Sequence, residues 1–259
     1  MSQPPLLVLA GATATGKTGL AIGLAERLAG EGIAAEIVSA DSRQVYRGLD
    51  IGTAKATPAE RRSVPHHGLD LVEPDEPFTV ADFAAHARTV LGRMAAGPAP
   101  ALAILAGGTG LYLRAVARGL PTDALPSDPA VRAALEADAL AEGIDRLVER
   151  LRSIAPRRAA TIDTRNPRRV VRALEIATVA GGDVDLPAPR GYDGPVAWLG
   201  LTVEPSVHRD WVAARARAQF DAGLVEEARG LRERFDPALP AFSRRLFGAS
   251  NTALPLAGP

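Results

Sequence analysis

The chain has 259 residues, of which 47% are hydrophobic, 25 are glycine and 21 are proline. That is enough apolar chain for one large or two modest packed domains, and it excludes a disordered or small stapled protein. The absence of cysteine rules out a disulfide framework, a thiolate zinc site, an iron–sulfur cluster and a cysteine nucleophile, and the balance of 30 basic against 30 acidic residues argues against an indiscriminate nucleic-acid coat.

The chain opens Met1-Ser2-Gln3-Pro4-Pro5 without a basic stretch, and no apolar run reaches the ~18 residues of a membrane helix. A cytoplasmic protein with no membrane association is expected. Residues 6–10 form a short apolar run ahead of a glycine-bearing turn, which suits a buried strand. A helix is predicted over 18–28, where Leu20, Ala21, Leu24, Ala25 and Leu28 recur at helical spacing before Gly30 and Gly32. Residues 36–39 read as a second strand. Thr79-Val80-Ala81-Asp82 has the spacing of a capping box and opens a helix running to Gly97, and 101–106 is the next apolar strand.

Beyond Gly119 the strand-like runs cease, and the pairs Asp128-Pro129 and Asn166-Pro167 each place a cap residue before a proline suited to the first helical position. An inserted helical region over 121–193 is predicted, ending in the glycine- and proline-rich stretch 181–195. Residues 196–202 are strand-like again, followed by helices over 207–222 and 225–234 separated by Gly223. Trp211 and Phe220 are expected in the core. Residues 235–259 show neither period and are expected to be irregular. The fold class is therefore α/β: a P-loop, doubly wound parallel sheet formed by 1–120 and 194–259, with a helical insertion.

Gly11-Ala12-Thr13-Ala14-Thr15-Gly16-Lys17-Thr18 fits the phosphate-binding loop G-x-x-x-x-G-K-[ST] between a strand and a helix. Glycines let successive amides point inward, the helix start adds its dipole, Lys17 brings a charge and the Thr18 hydroxyl can ligate magnesium. All but two of the 30 basic residues are arginine, and Lys17 is one of the two lysines. A nucleotide triphosphatase normally adds an apolar strand ending in aspartate, but 101–106 runs into Gly107-Gly108-Thr109-Gly110. The strand closely followed by an acid is the second, with Asp41. That carboxylate could face the loop across the carboxyl ends of the sheet, or simply cap a following helix.

The phosphate loop, Ser39-Ala40-Asp41-Ser42-Arg43-Gln44-Val45-Tyr46, Asp50-Ile51-Gly52-Thr53-Ala54-Lys55, Pro65-His66-His67, Gly107-Gly108-Thr109-Gly110-Leu111-Tyr112-Leu113 and Arg169-Val170-Val171-Arg172-Ala173-Leu174-Glu175 together resemble the tRNA dimethylallyltransferases, also called tRNA isopentenyltransferases. The resemblance covers about residues 6–242. It implies transfer of a dimethylallyl group from dimethylallyl diphosphate to the exocyclic N6 amine of the adenosine 3′ of the anticodon, with magnesium held at Thr18. It gives Asp41 the part of general base and places Lys17, Thr18 and Arg215 beside the diphosphate, in a site lined by Gly11, Ala12, Thr13, Ala14, Thr15 and Gly16. Asp41, Ser42, Arg43, Gln44, Thr109, Arg132, Arg168, Arg169, Val170, Val171 and Arg172 are the positions it assigns to tRNA, whose anticodon stem-loop would be met by a monomer.

Residues 146–172 hold nine arginines against Glu149 and Asp163, a stripe that suits phosphate contacts but also fits a solvated helix face. His66 and His67 are adjacent, which suits neither helical nor strand-face metal ligation, and are expected to be structural. Lys55 fits either a functional part or a loop-stabilising one. The chain departs from the family at Ala12, where proline is usual, and after Ser243, where 244–259 read as an altered or truncated end. Two rival readings stay open: an ATP-binding small-molecule kinase built on the same loop, and a catalytically silent tRNA-binding protein.

Overall fold

The computed structural model describes residues 3–98, 101–185 and 187–235; the expected irregular tail, apart from Phe235, lies outside the described residues. In chain order the elements are β1 (Leu6–Gly11), α1 (Lys17–Gly30), β2 (Ala34–Ser39), α2 (Pro58–Ser63), β3 (His66–His67), α3 (Val80–Ala95), β4 (Ala101–Gly107), α4 (Gly110–Ala117), α5 (Pro129–Ala141), α6 (Ile144–Ile154), α7 (Pro156–Thr161), α8 (Pro167–Ala180), β5 (Val196–Leu201), α9 (Pro205–Asp221) and α10 (Leu224–Arg234). They divide into two compact units, 1–120 with 190–259, and 121–189. The first is four residues larger at the return than the pattern alone gave. Arg190 and Gly191 donate backbone hydrogen bonds to the Gly119 and Arg118 carbonyls, and the Tyr192 hydroxyl donates to the Pro4 carbonyl at 2.7 Å, which ties the return segment to the sheet.

The first unit is a five-stranded parallel sheet in the order β3-β2-β4-β1-β5. Because side chains alternate along a strand, β1 sends Leu6 and Val8 into a core shared with Phe83, Ala87 and Leu91 of α3 and Tyr112 and Leu113 of α4. Leu9 enters the opposite core with Ala21, Ile22 and Ala25 of α1. Burial on both faces makes these strands near-continuously apolar, and each such leucine or phenylalanine contributes roughly 1.5–3 kcal/mol. Phe83 and Tyr112 stack with ring centroids 4.1 Å apart. The Thr79–Asp82 capping box forms as its spacing requires.

Three elements of this unit were not predicted from the sequence: α2, opened by a second capping box between Thr57 and Glu60, the two-residue β3, and α4, which follows the glycine-rich turn after β4. His67 Nε2 approaches Glu36 Oε2 at 2.6 Å, and His66 Nδ1 donates to the Val64 carbonyl at 2.8 Å. Burial, the largest influence, keeps the His66 pKa below its ordinary value.

Trp211 and Phe220 are a correction. Nine residues are two and a half helical turns, so the two rings lie on opposite sides of α9 and no single buried face can hold both. They are 46% and 60% exposed, and α9 buries no residue.

The second unit is a helical bundle, α5 to α8, around Leu135, Leu147, Leu151, Val170 and Leu174. Asp128 and Asn166 cap α5 and α8, each followed by the proline at the helix start. Among the described residues, no helix of either unit is long and apolar enough to cross a membrane.

Candidate active site

The loop between β1 and α1 curls because two residues take left-handed backbone: Ala14 at φ 62° and Gly16 at φ 80°. Gly16 meets that demand without a Cβ penalty, whereas Ala14 carries strain of about 1–2 kcal/mol, the kind of cost found where backbone amides are aimed at a ligand. The Thr15 hydroxyl and Lys17 Nζ both donate to the Ala12 carbonyl, at 2.8 and 2.6 Å. This hydrogen bond folds the lysine over the loop and leaves two of its three N–H groups to point elsewhere. Burial, its largest influence, lowers the Lys17 pKa; nearby Asp41 pulls it back up and Arg215 lowers it further. Lys17 therefore feels both the Asp41 carboxylate from the end of β2 and the Arg215 guanidinium from α9. His208, also on α9, donates Nε2–H to the Thr13 carbonyl at 2.8 Å.

Asp41 follows β2 directly. Its Oδ1 accepts the Arg43 N–H at 2.8 Å, an Asx turn rather than a helix cap, since residues 42–45 form turns and not a helix. Oδ2 has no partner among the described residues. The turn is braced from β4 and α4. The Ala40 and Thr109 backbones are linked at 3.1 Å, and Ser42 N–H donates to the Thr109 hydroxyl at 3.0 Å. Gly107 lets this happen, because a Cβ there would sit 2.1 Å from the Ala40 carbonyl oxygen. Tyr112 lies near enough for Asp41 to contribute to the rise of its phenol pKa, a rise caused first by burial.

Thr109 and Gln44 thus take up inward positions. The Gln44 amide accepts from the Ser39 hydroxyl at 2.6 Å and donates to the Thr53 and Ala54 carbonyls at 3.0 and 3.2 Å, so no donor remains for an outside base. The Thr53 carbonyl also receives Arg215 Nη2 at 3.3 Å. Lys55 resolves as a structural pin. Its buried Nζ donates to the Tyr46 carbonyl and to Asp50 and Asp70 at 2.6–2.8 Å, the paired state a buried charge requires.

In the helical unit, Val170 and Val171 need correcting as tRNA-facing positions. They are 0% and 6% exposed and form part of the bundle core, so their side chains are closed to RNA. Arg132 and Arg172 are engaged. Arg132 Nε and Arg172 Nη1 each lie 2.8 Å from Glu175 Oε2, and Ser127 and the Asp128 N–H donate to Oε1 at 3.0 and 2.9 Å. Glu175 is fully buried; burial alone would raise its pKa, but these hydrogen bonds outweigh it and hold the carboxyl below the ordinary glutamate range. Arg146, Arg150, Arg157 and Arg165 pair with carboxylates as well. Of the nine arginines in 146–172, the guanidiniums of Arg152, Arg158, Arg168 and Arg169 make no hydrogen bond or ion pair among the described residues.

Two residues of this architecture were given no role from the sequence. Glu175 ends a quoted motif and stands three residues after Arg172, a spacing that places the two side by side on a helix, but nothing marked it as buried. Glu227 binds the backbone of 50–52, more than 170 residues away, a proximity no local pattern encodes.

The hydroxyl of Thr18 is exposed and without a partner among the described residues, a hard oxygen donor at a helix start. With diphosphate oxygens it would suit magnesium, which keeps water and takes few protein ligands. A kinase would further need an acid on the strand beside β1. Its two neighbours are β4 and β5, which end at Gly107 and Leu201, and neither strand contains a carboxylate.

Residues 44–249 match the family model described as IPP transferase. The tRNA dimethylallyltransferase of Anaeromyxobacter sp. (strain K) is 49% identical over 244 residues, covering 91% of this chain and 76% of that protein. That of Roseiflexus castenholzii is 44% identical over 234 residues, with 89% and 73% covered. Among solved structures, the tRNA isopentenylpyrophosphate transferase from Bacillus halodurans superposes with a TM-score of 0.60 at 36% identity, covering 93% of this chain and 76% of that one.

Proposed function

The chain belongs to the IPP transferase family, that of the tRNA dimethylallyltransferases, and from that premise we propose that it transfers a dimethylallyl group from dimethylallyl diphosphate to the N6 amine of the adenosine 3′ of the tRNA anticodon. The observation that carries the reading is the anion-binding loop curled at Ala14 and Gly16 with Lys17 folded over it, beside a β4 that lacks the acid of a phosphoryl-transfer site.

The chemistry follows from these groups. The loop amides over 13–18, Lys17 and Arg215 hold the diphosphate, where negative charge grows as the bond from the prenyl carbon to oxygen breaks. An aromatic amine is a weak nucleophile. Asp41 Oδ2, free of internal partners, accepts the hydrogen bond of the exocyclic amine and takes its proton as the carbon–nitrogen bond forms. Diphosphate departs and the protonated carboxyl returns its proton to water. Thr18 would hold magnesium through its hydroxyl, and the ion when bound would supply positive charge to the leaving group. The adenosine must leave its stack to reach Asp41, at a cost of a few kcal/mol that contacts elsewhere on the tRNA offset. Arg168 and Arg169 serve as phosphate contacts, while Arg132, Arg172 and Glu175 keep the surface that carries them in shape.

Equilibrium binding separates this reading from the kinase. A non-hydrolysable thiolo analogue of dimethylallyl diphosphate should bind in the presence of magnesium, Lys17→Ala should weaken it about tenfold or more, and millimolar ATP should leave it in place. Displacement by ATP would sink the proposal.

A further inference from the structure

The first turn of α10 carries two adjacent carboxylates with different surroundings. Glu226 pairs in solvent with Arg229 at 3.2 Å, both side chains 69% exposed, an arrangement of little energetic consequence. Glu227 turns inward. Its Oε2 accepts the N–H groups of Asp50 and Ile51 at 2.8 and 2.7 Å, and Oε1 accepts that of Gly52 at 3.0 Å. Three consecutive amides aimed at one carboxylate form a filled anion nest, and charge-assisted bonds of this kind are about twice as strong as neutral ones.

The carbonyl side of the same segment is held from α9, where Gln219 Nε2 donates to the Ile51 and Gly52 carbonyls at 2.7 and 3.1 Å. Gly52 lies close against α10: a Cβ there would come within 3.1 Å of Leu224 Cδ1 and 3.3 Å of Glu227 Oε1. The next residue, Thr53, presents the carbonyl that receives both Arg215 Nη2 and Gln44 Nε2. One peptide oxygen therefore joins the guanidinium beside Lys17 to the turn that carries Asp41.

We infer that Glu227 is a positioning residue for prenyl transfer: by gripping the amides of 50–52 it fixes the Thr53 carbonyl, and through it the placement of Arg215 at the diphosphate. The inference rests on the proposed reaction. The segment is partly solvent-exposed, so water can satisfy the three amides when the carboxylate is removed. The loop then stays folded into the unit but no longer holds Thr53 in one place.

Steady-state transfer of labelled dimethylallyl groups to unmodified tRNA by the full chain tests this. Glu227→Ala should raise KM for dimethylallyl diphosphate about tenfold, with tRNA affinity within about twofold of wild type. Adding Glu227→Ala to Arg215→Ala should change that KM by less than about twofold, because the two residues act through one contact. Glu227→Gln, which keeps an acceptor oxygen, should fall between wild type and Glu227→Ala and provides the reading if the alanine variant does not fold. Effects of Glu227→Ala and Arg215→Ala that multiply, or a Glu227→Gln variant indistinguishable from wild type, would overturn the inference. Absence of transfer by the wild-type chain would instead overturn the proposed reaction.

Discussion

In the proposed reaction, Asp41 is the residue on which the chemistry turns. Removing its carboxylate should cost turnover and little else, since its one internal bond is to the Arg43 N–H. Asp41→Ala is expected to lower kcat about 10²-fold or more with tRNA binding retained, measured by single-turnover transfer beside a filter-binding titration. Lys17 gives a pH prediction. Burial depresses its pKa, Arg215 adds to the depression and Asp41 opposes it, so the ammonium is lost at lower pH than in an ordinary lysine. Because the proposed diphosphate contact uses the charged form, affinity for dimethylallyl diphosphate should fall as pH rises, with the fall beginning at lower pH than an ordinary lysine would set. Lys17→Arg should move this alkaline limb out of range. Both residues could be singled out as candidates in sequence, one through a loop motif with a physical rationale and the other through its place after an apolar strand. Thr109 and Gln44 could be named as candidates only through the family resemblance, and their inward hydrogen bonds depend on distances that no spacing reveals.

At the scale of elements, caps and alternation were readable because each is local: Thr79 with Asp82, Asp128 before Pro129, Asn166 before Pro167. What could not be read was long-range. The approach of β4 to the end of β2 depends on Gly107, so Gly107→Ala should push Ala40 aside and move Asp41 with it. Transfer activity is expected to drop at least about tenfold while the phosphate loop still binds the diphosphate analogue, a split visible in parallel binding and turnover assays. In the bundle, Glu175 ties α5 to α8 through Arg132 and Arg172. Its folded pKa lies below the ordinary glutamate value, so its contribution to stability is complete above that ordinary value and disappears as pH falls through the folded one. Denaturant unfolding of Glu175→Ala should show a loss of about 1–3 kcal/mol at neutral pH, from the hydrogen bonds lost between α5 and α8, because Arg132 and Arg172 are themselves about a third exposed and water can solvate them. The variant should also show a flatter acid limb than wild type.

Over the whole molecule the charges balance, and they nearly balance within 121–189 too, where ten arginines face eleven carboxylates. The window 146–172 reads as strongly basic when taken alone. Flanking acids such as Asp138, Asp183 and Asp185 neutralise much of it through ion pairs. On the proposed reading, affinity for tRNA rests on the few guanidiniums without a partner among the described residues and not on net charge. Arg168→Ala and Arg169→Ala should each reduce the slope of log affinity against log salt by about one, whereas Arg132→Ala should act mainly on stability. The central claim is that the phosphate loop and Asp41 act on one prenyl donor and one adenosine. Its most direct measurement is incubation of the chain with labelled dimethylallyl diphosphate, magnesium and unmodified tRNA, followed by digestion to nucleosides and mass spectrometry. The expected result is N6-dimethylallyl adenosine from the position 3′ of the anticodon, lost with Asp41→Ala or on chelation of the metal; unmodified adenosine throughout, or undiminished product from Asp41→Ala, would contradict it.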